Sequence, residues 1–183
     1  MMSKFQLKML QMQDQVQGWD TYWCLRLNRY STRHAVARLF KMISRMGDGW
    51  FWYGMMLFVW ALHGMAVLPL LIKISLTSLT GLVIYKLLKN KTLRPRPYQV
   101  HQAIMLGERP LDHFSFPSGH TLHAVLFTVM LGVSFPLLLP VLLPFMLLVA
   151  ASRVILGLHY PTDVMVGAAI GALLAGLSLC IHI

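Results

Sequence analysis

The chain has 183 residues, of which 57% are hydrophobic and 12% charged, and its formal net charge is +10. This apolar excess is beyond that of ordinary soluble domains and predicts an integral membrane protein. In a soluble chain the positive charge would suggest nucleic-acid binding. In a membrane protein, loop cations on one side of the bilayer and an anion site explain it, so no nucleic-acid partner is expected. Cys24 and Cys180 are expected on opposite faces of the bilayer and offer no disulfide framework.

The first 46 residues carry charges every few positions, which excludes a bilayer span. Their apolar side chains nevertheless follow helical spacing, and Val36, Phe40 and Ile43 share one face. Residues 1–46 are therefore predicted to form a basic amphipathic segment at the level of the lipid headgroups, although a partner-binding helix is an alternative. The predicted interfacial anchors are Trp19, Tyr22 and Trp23.

Residues 47–183 are predicted to be the membrane-embedded domain. The uncharged block that begins near Ser118 is about twice as long as one crossing, which takes about 20 residues, so it is predicted to be a helical hairpin. The predicted fold class is all-α: an integral membrane helical bundle of about five transmembrane helices plus one or more N-terminal interfacial helices. The predicted spans are Trp50 to His63, Val67 to Leu88, Ser118 to Phe135, Leu137 to Arg153 and Asp163 to Cys180.

Counting these crossings brings three polar segments to the same side of the bilayer: residues 89–97, 117–120 and 152–163. In the second segment, Ser118 is suited to cap a helix, and Gly119 lets an anion approach the backbone amides. In the third, Asp163 lies close enough to accept a hydrogen bond from His159 and so fix the tautomer of the imidazole. Each segment alone has a purely structural explanation, but their convergence favours a functional site.

The three segments read Lys89-x6-Arg96-Pro97, Pro117-Ser118-Gly119-His120 and Ser152-Arg153-x5-His159-x3-Asp163. They resemble the three-part signature of the type 2 phosphatidic acid phosphatase superfamily. All three parts are intact and in order, and the match runs from about Gly47 to the C-terminus. Many members of that family have an additional N-terminal span where this chain has its basic segment.

The resemblance implies roles for these residues. His159 would be the nucleophile that takes up the phosphoryl group, Asp163 would orient it, and His120 would protonate the leaving lipid oxygen. No metal and no cofactor are expected, because His113 and His123 beside His120 lack the ligand set typical of zinc. The implied phosphate-binding residues are Lys89, Arg96, Ser118, Gly119 and Arg153.

The implied function is that of an integral-membrane lipid phosphatase, similar to bacterial undecaprenyl-diphosphate and phosphatidylglycerophosphate phosphatases. It would remove the terminal phosphate of a lipid phosphate or diphosphate through a phosphohistidine. Its expected partners are that lipid substrate and the bilayer, whereas the motifs predict neither the lipid tail nor the oligomeric state. The expected location is a bacterial-type inner membrane, as a multi-pass protein whose Lys and Arg distribution favours a cytoplasmic site.

Two other functions could use the same pocket. Vanadate-dependent haloperoxidases share the phosphate pocket of the superfamily, but they are soluble, and the apolar spans argue against them. A non-catalytic protein that binds or transports lipid phosphates would use the same pocket for headgroup recognition. The intact set of His120, His159 and Asp163 argues against that second alternative.

Overall fold

A computed structural model describes residues 4–110 and 112–181. The outermost residues of the two predicted segments, 1–3 and 182–183, lie outside this description. Within the described ranges the chain folds into helices joined by loops, with an isolated β-bridge between Pro95 and Phe114. The α-helices are α1 (Lys4–Asn28), α2 (His34–Gly47), α3 (Trp50–His63), α4 (Leu68–Thr92), α5 (Pro97–Val100), α6 (Gly119–Ser134), α7 (Leu139–Ile155) and α8 (Pro161–Cys180).

Three continuous helical stretches in the described residues are long and apolar enough to cross a membrane: Trp50–Thr92, Pro136–Ile155 and Pro161–Cys180. The first consists of α3 and α4, joined by a 3-10 turn at Gly64–Val67, and α6 is a shorter apolar helix. The five predicted spans therefore correspond to α3, α4, α6, α7 and α8. The prediction of an all-α membrane bundle is confirmed.

Helix α4 ends later than predicted, at Thr92 rather than near Leu88. Its last turn carries Lys89 and Lys91, whose positive charges interact favourably with the negative end of the helix dipole. The helix closes at Leu93, which adopts a left-handed conformation and donates its amide to the Lys89 carbonyl. The extra turn keeps Lys89 on the helix and fixes the direction of its side chain.

Helix α6 lies at the centre of the bundle and packs against α4, α7 and α8. Its side chains Leu122, Leu126 and Met130 are fully buried. Helix α8 approaches α6 closely because Gly167 and Gly171 face the α6 backbone at its first turns. Small residues permit such close helix contacts in membranes, as expected from the composition of α8.

Part of the apolar face of α2 packs against the rest of the bundle. Ile43 belongs to the buried core, Phe40 packs against that core, and Gly47 lies against Val149 of α7. The amphipathic pattern predicted the face correctly, but in the structure much of it covers α7. An apolar stripe fits a lipid surface and a neighbouring helix equally well, and tertiary packing decides between them.

The close contact between α6 and α8 generates a stability prediction. A Cβ at Gly171 would meet the Leu122 backbone, so Gly171→Ala is expected to destabilise the fold by about 1–3 kcal/mol through overpacking. Gly176→Ala on the same helix is the matched control, because no atom lies within 4 Å of its added Cβ. Thermal unfolding in detergent should show a lower Tm for Gly171→Ala alone, and equal melting of both variants would contradict this account of the interface.

Candidate active site

A cavity of about 350 Å³ opens at the end of the bundle where α4 and α7 end and where α3, α6 and α8 begin. One wall descends along α4 and is lined by Ser75, Ser78, Leu79 and Leu82, and Trp52 of α3 lies opposite. The cavity therefore has a polar end and a wall that extends into the apolar bundle. The predicted site residues that line it are Lys89, Arg96, Gly119, His120, Arg153 and His159.

His159 lies in the short loop between α7 and α8, and its side chain is almost fully buried. Its Nε2 atom is 3.4 Å from Arg96 Nη1. Its Nδ1 atom is 3.7 Å from Asp163 Oδ2 and has no hydrogen-bond partner, so the predicted hydrogen bond is not formed.

The surroundings of His159 favour its neutral form. Burial, followed by the positive charges of Arg153, Arg96 and Lys89, holds the pKa of His159 well below its usual range. A neutral imidazole has a free lone pair on one nitrogen, which a nucleophile requires. The same cations that suit a phosphate therefore also keep this histidine unprotonated.

Asp163 is fully buried, and its carboxylate has other partners. Oδ1 accepts a 2.6 Å hydrogen bond from Arg94, and Oδ2 accepts one of 2.8 Å from the Tyr160 amide at the start of α8. The carbonyl of Asp163 accepts the Ser118 amide at 3.0 Å. This residue thus joins the His159 loop, the start of α6 and the loop after α4.

Lys89 and Arg96 share one carboxylate, that of Asp112. Lys89 Nζ is 2.7 Å from Asp112 Oδ2, and Arg96 Nη2 is 2.6 Å from Oδ1. Burial alone would raise the pKa of Asp112, but the hydrogen bonds and charges of Lys89 and Arg96 lower it below its usual value. Asp112 therefore remains charged and holds the two cations beside each other.

Arg153, at the end of α7, is 3% exposed. Its Nη1 donates a 2.5 Å hydrogen bond to Ser44 Oγ of α2, while its buried Nε has no partner. A charged donor left unpaired in the wall of a cavity is ready to bind an anion. The contact with Ser44 was not predicted, because the two residues are 109 positions apart in the sequence.

Ser118 differs from the expectation. Its side chain is fully buried and does not line the cavity. Its hydroxyl lies 3.0 Å from Thr121 Oγ1 and caps α6 by accepting from the Thr121 amide. Ser118 thus fixes the start of the helix whose next residues, Gly119 and His120, reach the cavity. Its hydroxyl is not positioned as a direct phosphate donor.

Arg94 was missed by the sequence reasoning although it lies within the first polar segment. It bridges Asp163 on α8 and the fully buried Asp20 on α1, each at 2.6 Å. Asp20 also accepts bonds from the Thr162 amide and hydroxyl. These contacts attach α1 to the same loops that carry the predicted site residues.

Asp48, between α2 and α3, was also missed, and its Oδ1 contacts His120 Nε2 directly. The chain has only six acidic residues against 16 Lys and Arg. This scarcity could have pointed to Asp48 in the sequence, because the few carboxylates of the chain are the candidate partners for its buried cations. Asp20, Asp48, Asp112 and Asp163 all serve in this way.

Comparison with known proteins gives two kinds of relative. The sequence matches the PAP2 superfamily over residues 66–183. Decaprenylphosphoryl-5-phosphoribose phosphatase of Mycobacterium tuberculosis is 40% identical over 87 residues, which are 47% of this chain and 46% of that protein. Undecaprenyl-diphosphatase BcrC of Bacillus subtilis is 33% identical over 107 residues, 56% of this chain and 52% of that protein. The chain thus spans about half the length of the curated relatives it matches.

Two solved structures share the fold. The crystal structure of LpxE from Aquifex aeolicus matches with a TM-score of 0.69 at 26% identity, over 86% of this chain and 93% of that chain. The PAP2-type phosphatidylglycerolphosphate phosphatase of Bacillus subtilis matches with a TM-score of 0.50 at 24% identity, over 88% and 92% of the two chains, and shows the fold alone. The helical membrane bundle and the match over residues 66–183 together establish that the chain belongs to the PAP2 superfamily.

Proposed function

We propose that this chain is an integral-membrane lipid phosphatase that hydrolyses the terminal phosphate of a lipid phosphate or diphosphate. The observation that carries the proposal is the cavity at the end of an apolar bundle, in which Lys89, Arg96 and Arg153 surround His120 and His159. Clustered cations at a cavity beside two imidazoles suit the binding and transfer of a phosphoryl group.

In the proposed reaction, an imidazole nitrogen of His159 bonds to phosphorus as the bond to the leaving lipid oxygen breaks. His120 gives a proton to that oxygen, and water then hydrolyses the phosphohistidine to release inorganic phosphate. The phosphoryl oxygens are held by Lys89, Arg96, Arg153 and the backbone amides at the start of α6, beginning with Gly119. Ser118 caps this helix and so fixes the position of those amides. The charge spread over those oxygens is stabilised by groups already in place, which lowers the barrier. Asp163 orients His159.

The proposed substrate is an amphiphile such as undecaprenyl diphosphate or a phosphatidylglycerol phosphate-like lipid. Two observations support this class. The cavity wall along α4 includes the apolar side chains of Leu79 and Leu82, against which a lipid tail can lie. The curated relatives named above are a decaprenylphosphoryl-5-phosphoribose phosphatase and an undecaprenyl-diphosphatase.

The proposed mechanism uses a covalent histidine and no metal ion, which generates an activity prediction. His159→Ala should lower phosphate release from a panel of lipid phosphates and diphosphates by at least about 10³-fold, as expected when a nucleophile is removed. The assay is run in detergent with EDTA. His34→Ala, an exposed histidine at the start of α2, is the matched control and should keep full activity.

Three outcomes would count against this proposal. Wild-type release that depends on an added divalent cation would contradict the metal-free reaction. Equal release by wild type and His159→Ala would contradict the histidine nucleophile. Binding of lipid phosphate without turnover would favour the non-catalytic binding or transport protein instead.

Arg153 supplies a second prediction, about phosphate binding. Its planar guanidinium can present two donors to one phosphoryl group, whereas a lysine at the same position presents a point charge. Arg153→Lys is therefore expected to lower kcat/KM by roughly 10–100-fold, which corresponds to the loss of about 1.4–2.7 kcal/mol of transition-state binding. Arg109→Lys, at an exposed arginine outside the cavity, is the control. Unchanged kinetics in Arg153→Lys would contradict the proposal that Arg153 binds the phosphate.

The proposed location is a bacterial-type inner membrane, with the active site on the cytoplasmic face. Lys and Arg are concentrated at the cavity end of the bundle and in residues 1–46, and such residues favour the cytoplasmic side. We further propose that residues 1–46 lie along this face. The exposed rings of Trp19 and Tyr22 on α1 support that position, because such rings favour the headgroup region.

Cysteine labelling tests this orientation. In a Cys180→Ser background, Ala103→Cys lies in the loop at the cavity end and Met65→Cys at the opposite end of the bundle. A membrane-impermeant maleimide should label Ala103→Cys in inverted membrane vesicles and Met65→Cys in spheroplasts. The reverse pattern would place the site on the outer face.

A further inference from the structure

Asp48 occupies a position that the family signature does not describe. It caps the C-terminus of α2, precedes Gly49 and α3, and lies outside residues 66–183 that match the superfamily. Its side chain lines the cavity, and its Oδ1 contacts His120 Nε2. Among the described residues, Asp48 is the carboxylate that contacts His120 directly.

This contact requires a proton between the two atoms. A carboxylate oxygen and an imidazole nitrogen both carry lone pairs and repel each other unless a hydrogen lies between them. With Asp48 as the carboxylate, His120 Nε2 bears the hydrogen and donates it to Asp48 Oδ1. In this assignment one ring nitrogen of His120 is protonated before any substrate binds.

The rest of the cavity opposes a positive charge on His120. Lys89, Arg96 and Arg153 line the same cavity, and cations that suit a phosphate disfavour a further cation beside them. Asp112 is already shared by Lys89 and Arg96. A protonated His120 therefore needs a counter-charge of its own, and Asp48 is in place to supply it.

We propose that Asp48 is a positioning residue for His120, stabilising the protonated imidazole that donates to the leaving oxygen. The inference rests on the proposed function and deepens it. As the phosphorus–oxygen bond to the lipid breaks, the leaving oxygen takes the proton on Nδ1 of His120, whose Nε2–H remains on Asp48, so the imidazole becomes neutral. When water attacks the phosphohistidine, its hydroxyl bonds to phosphorus as the bond from phosphorus to His159 breaks, and its proton returns to His120, so the site is restored.

The position of Asp48 depends on the packing of α2. Gly47, the preceding residue, lies against Val149 of α7, and the Gly49 carbonyl accepts the Tyr53 amide at 2.9 Å in the first turn of α3. Gly49 itself has a φ of 142°, which disfavours any side chain there. These contacts hold the link between α2 and α3 at the cavity mouth.

Substrates with different leaving groups test the proposal. Phosphatidic acid and phosphatidylglycerol phosphate release an alkoxide that needs a proton, whereas p-nitrophenyl phosphate releases a stable phenolate that does not. General acid catalysis contributes about 10²–10⁴-fold, so Asp48→Asn should lower kcat on the lipids by roughly 10–100-fold and on p-nitrophenyl phosphate by less than about threefold. His120→Asn should show the same split, more strongly. Asp48→Glu should recover part of the loss.

Two further measurements complete the test. In the double variant Asp48→Asn with His120→Asn, the lipid rate should be no lower than in His120→Asn alone, because Asp48 acts through His120. Asp14→Asn, an exposed acid on α1, is the matched control and should behave as wild type. Thermal unfolding of each variant in detergent confirms that the compared proteins are folded.

The outcomes separate this inference from the proposed function. If His159→Ala abolishes release from both substrate types while folded Asp48→Asn loses nothing, or loses equally on both, the positioning role is wrong and the phosphatase stands. If His159→Ala loses nothing on either substrate, the proposed function fails. A lipid-selective loss in Asp48→Asn together with an inactive His159→Ala supports both.

Discussion

The structure depends on the burial of positive charge at one end of an apolar bundle. Lys89, Arg96 and Arg153 are each at most 5% exposed, and isolated ions in such a place would be very costly. Asp112 offsets two of them, while Arg153 has a hydroxyl partner and a donor that remains unpaired. The site is thus left with excess positive charge, and a bound phosphate would relieve it.

This constraint also explains why the N-terminal helices are attached to the bundle. Asp20 on α1, Ser44 on α2 and Asp48 after α2 each bond to a cationic or imidazole group of the membrane domain. The N-terminal helices therefore supply polar partners as well as apolar cover. The part of the chain that matches the superfamily begins at residue 66, so these partners come from outside the matched region.

The sequence alone predicted the helices well because bilayer spans leave strong local signals. Long uncharged stretches of the sequence correctly predicted α3, α4, α6, α7 and α8. Counting these spans was enough to predict that the three polar segments lie at the same end of the bundle. The contacts of Asp48 and Asp20 were not predictable, because their partners lie 72 and 74 residues away and follow from tertiary packing. The role of Ser118 was ambiguous for another reason, because a serine before a helix is equally suited to capping and to anion binding. In the structure Ser118 is fully buried, which favours the capping role.

The wall of the cavity along α4 has a consequence for kinetics. Ser75 and Lys89 both line the cavity, and their separation of 14 positions corresponds to about 20 Å along a helix axis. A ligand with its phosphate at Lys89 would thus keep its tail at the depth of the hydrocarbon, as in the surrounding lipid. Substrate would then arrive by lateral diffusion within the leaflet, so the rate should follow its mole fraction in the membrane rather than its bulk concentration.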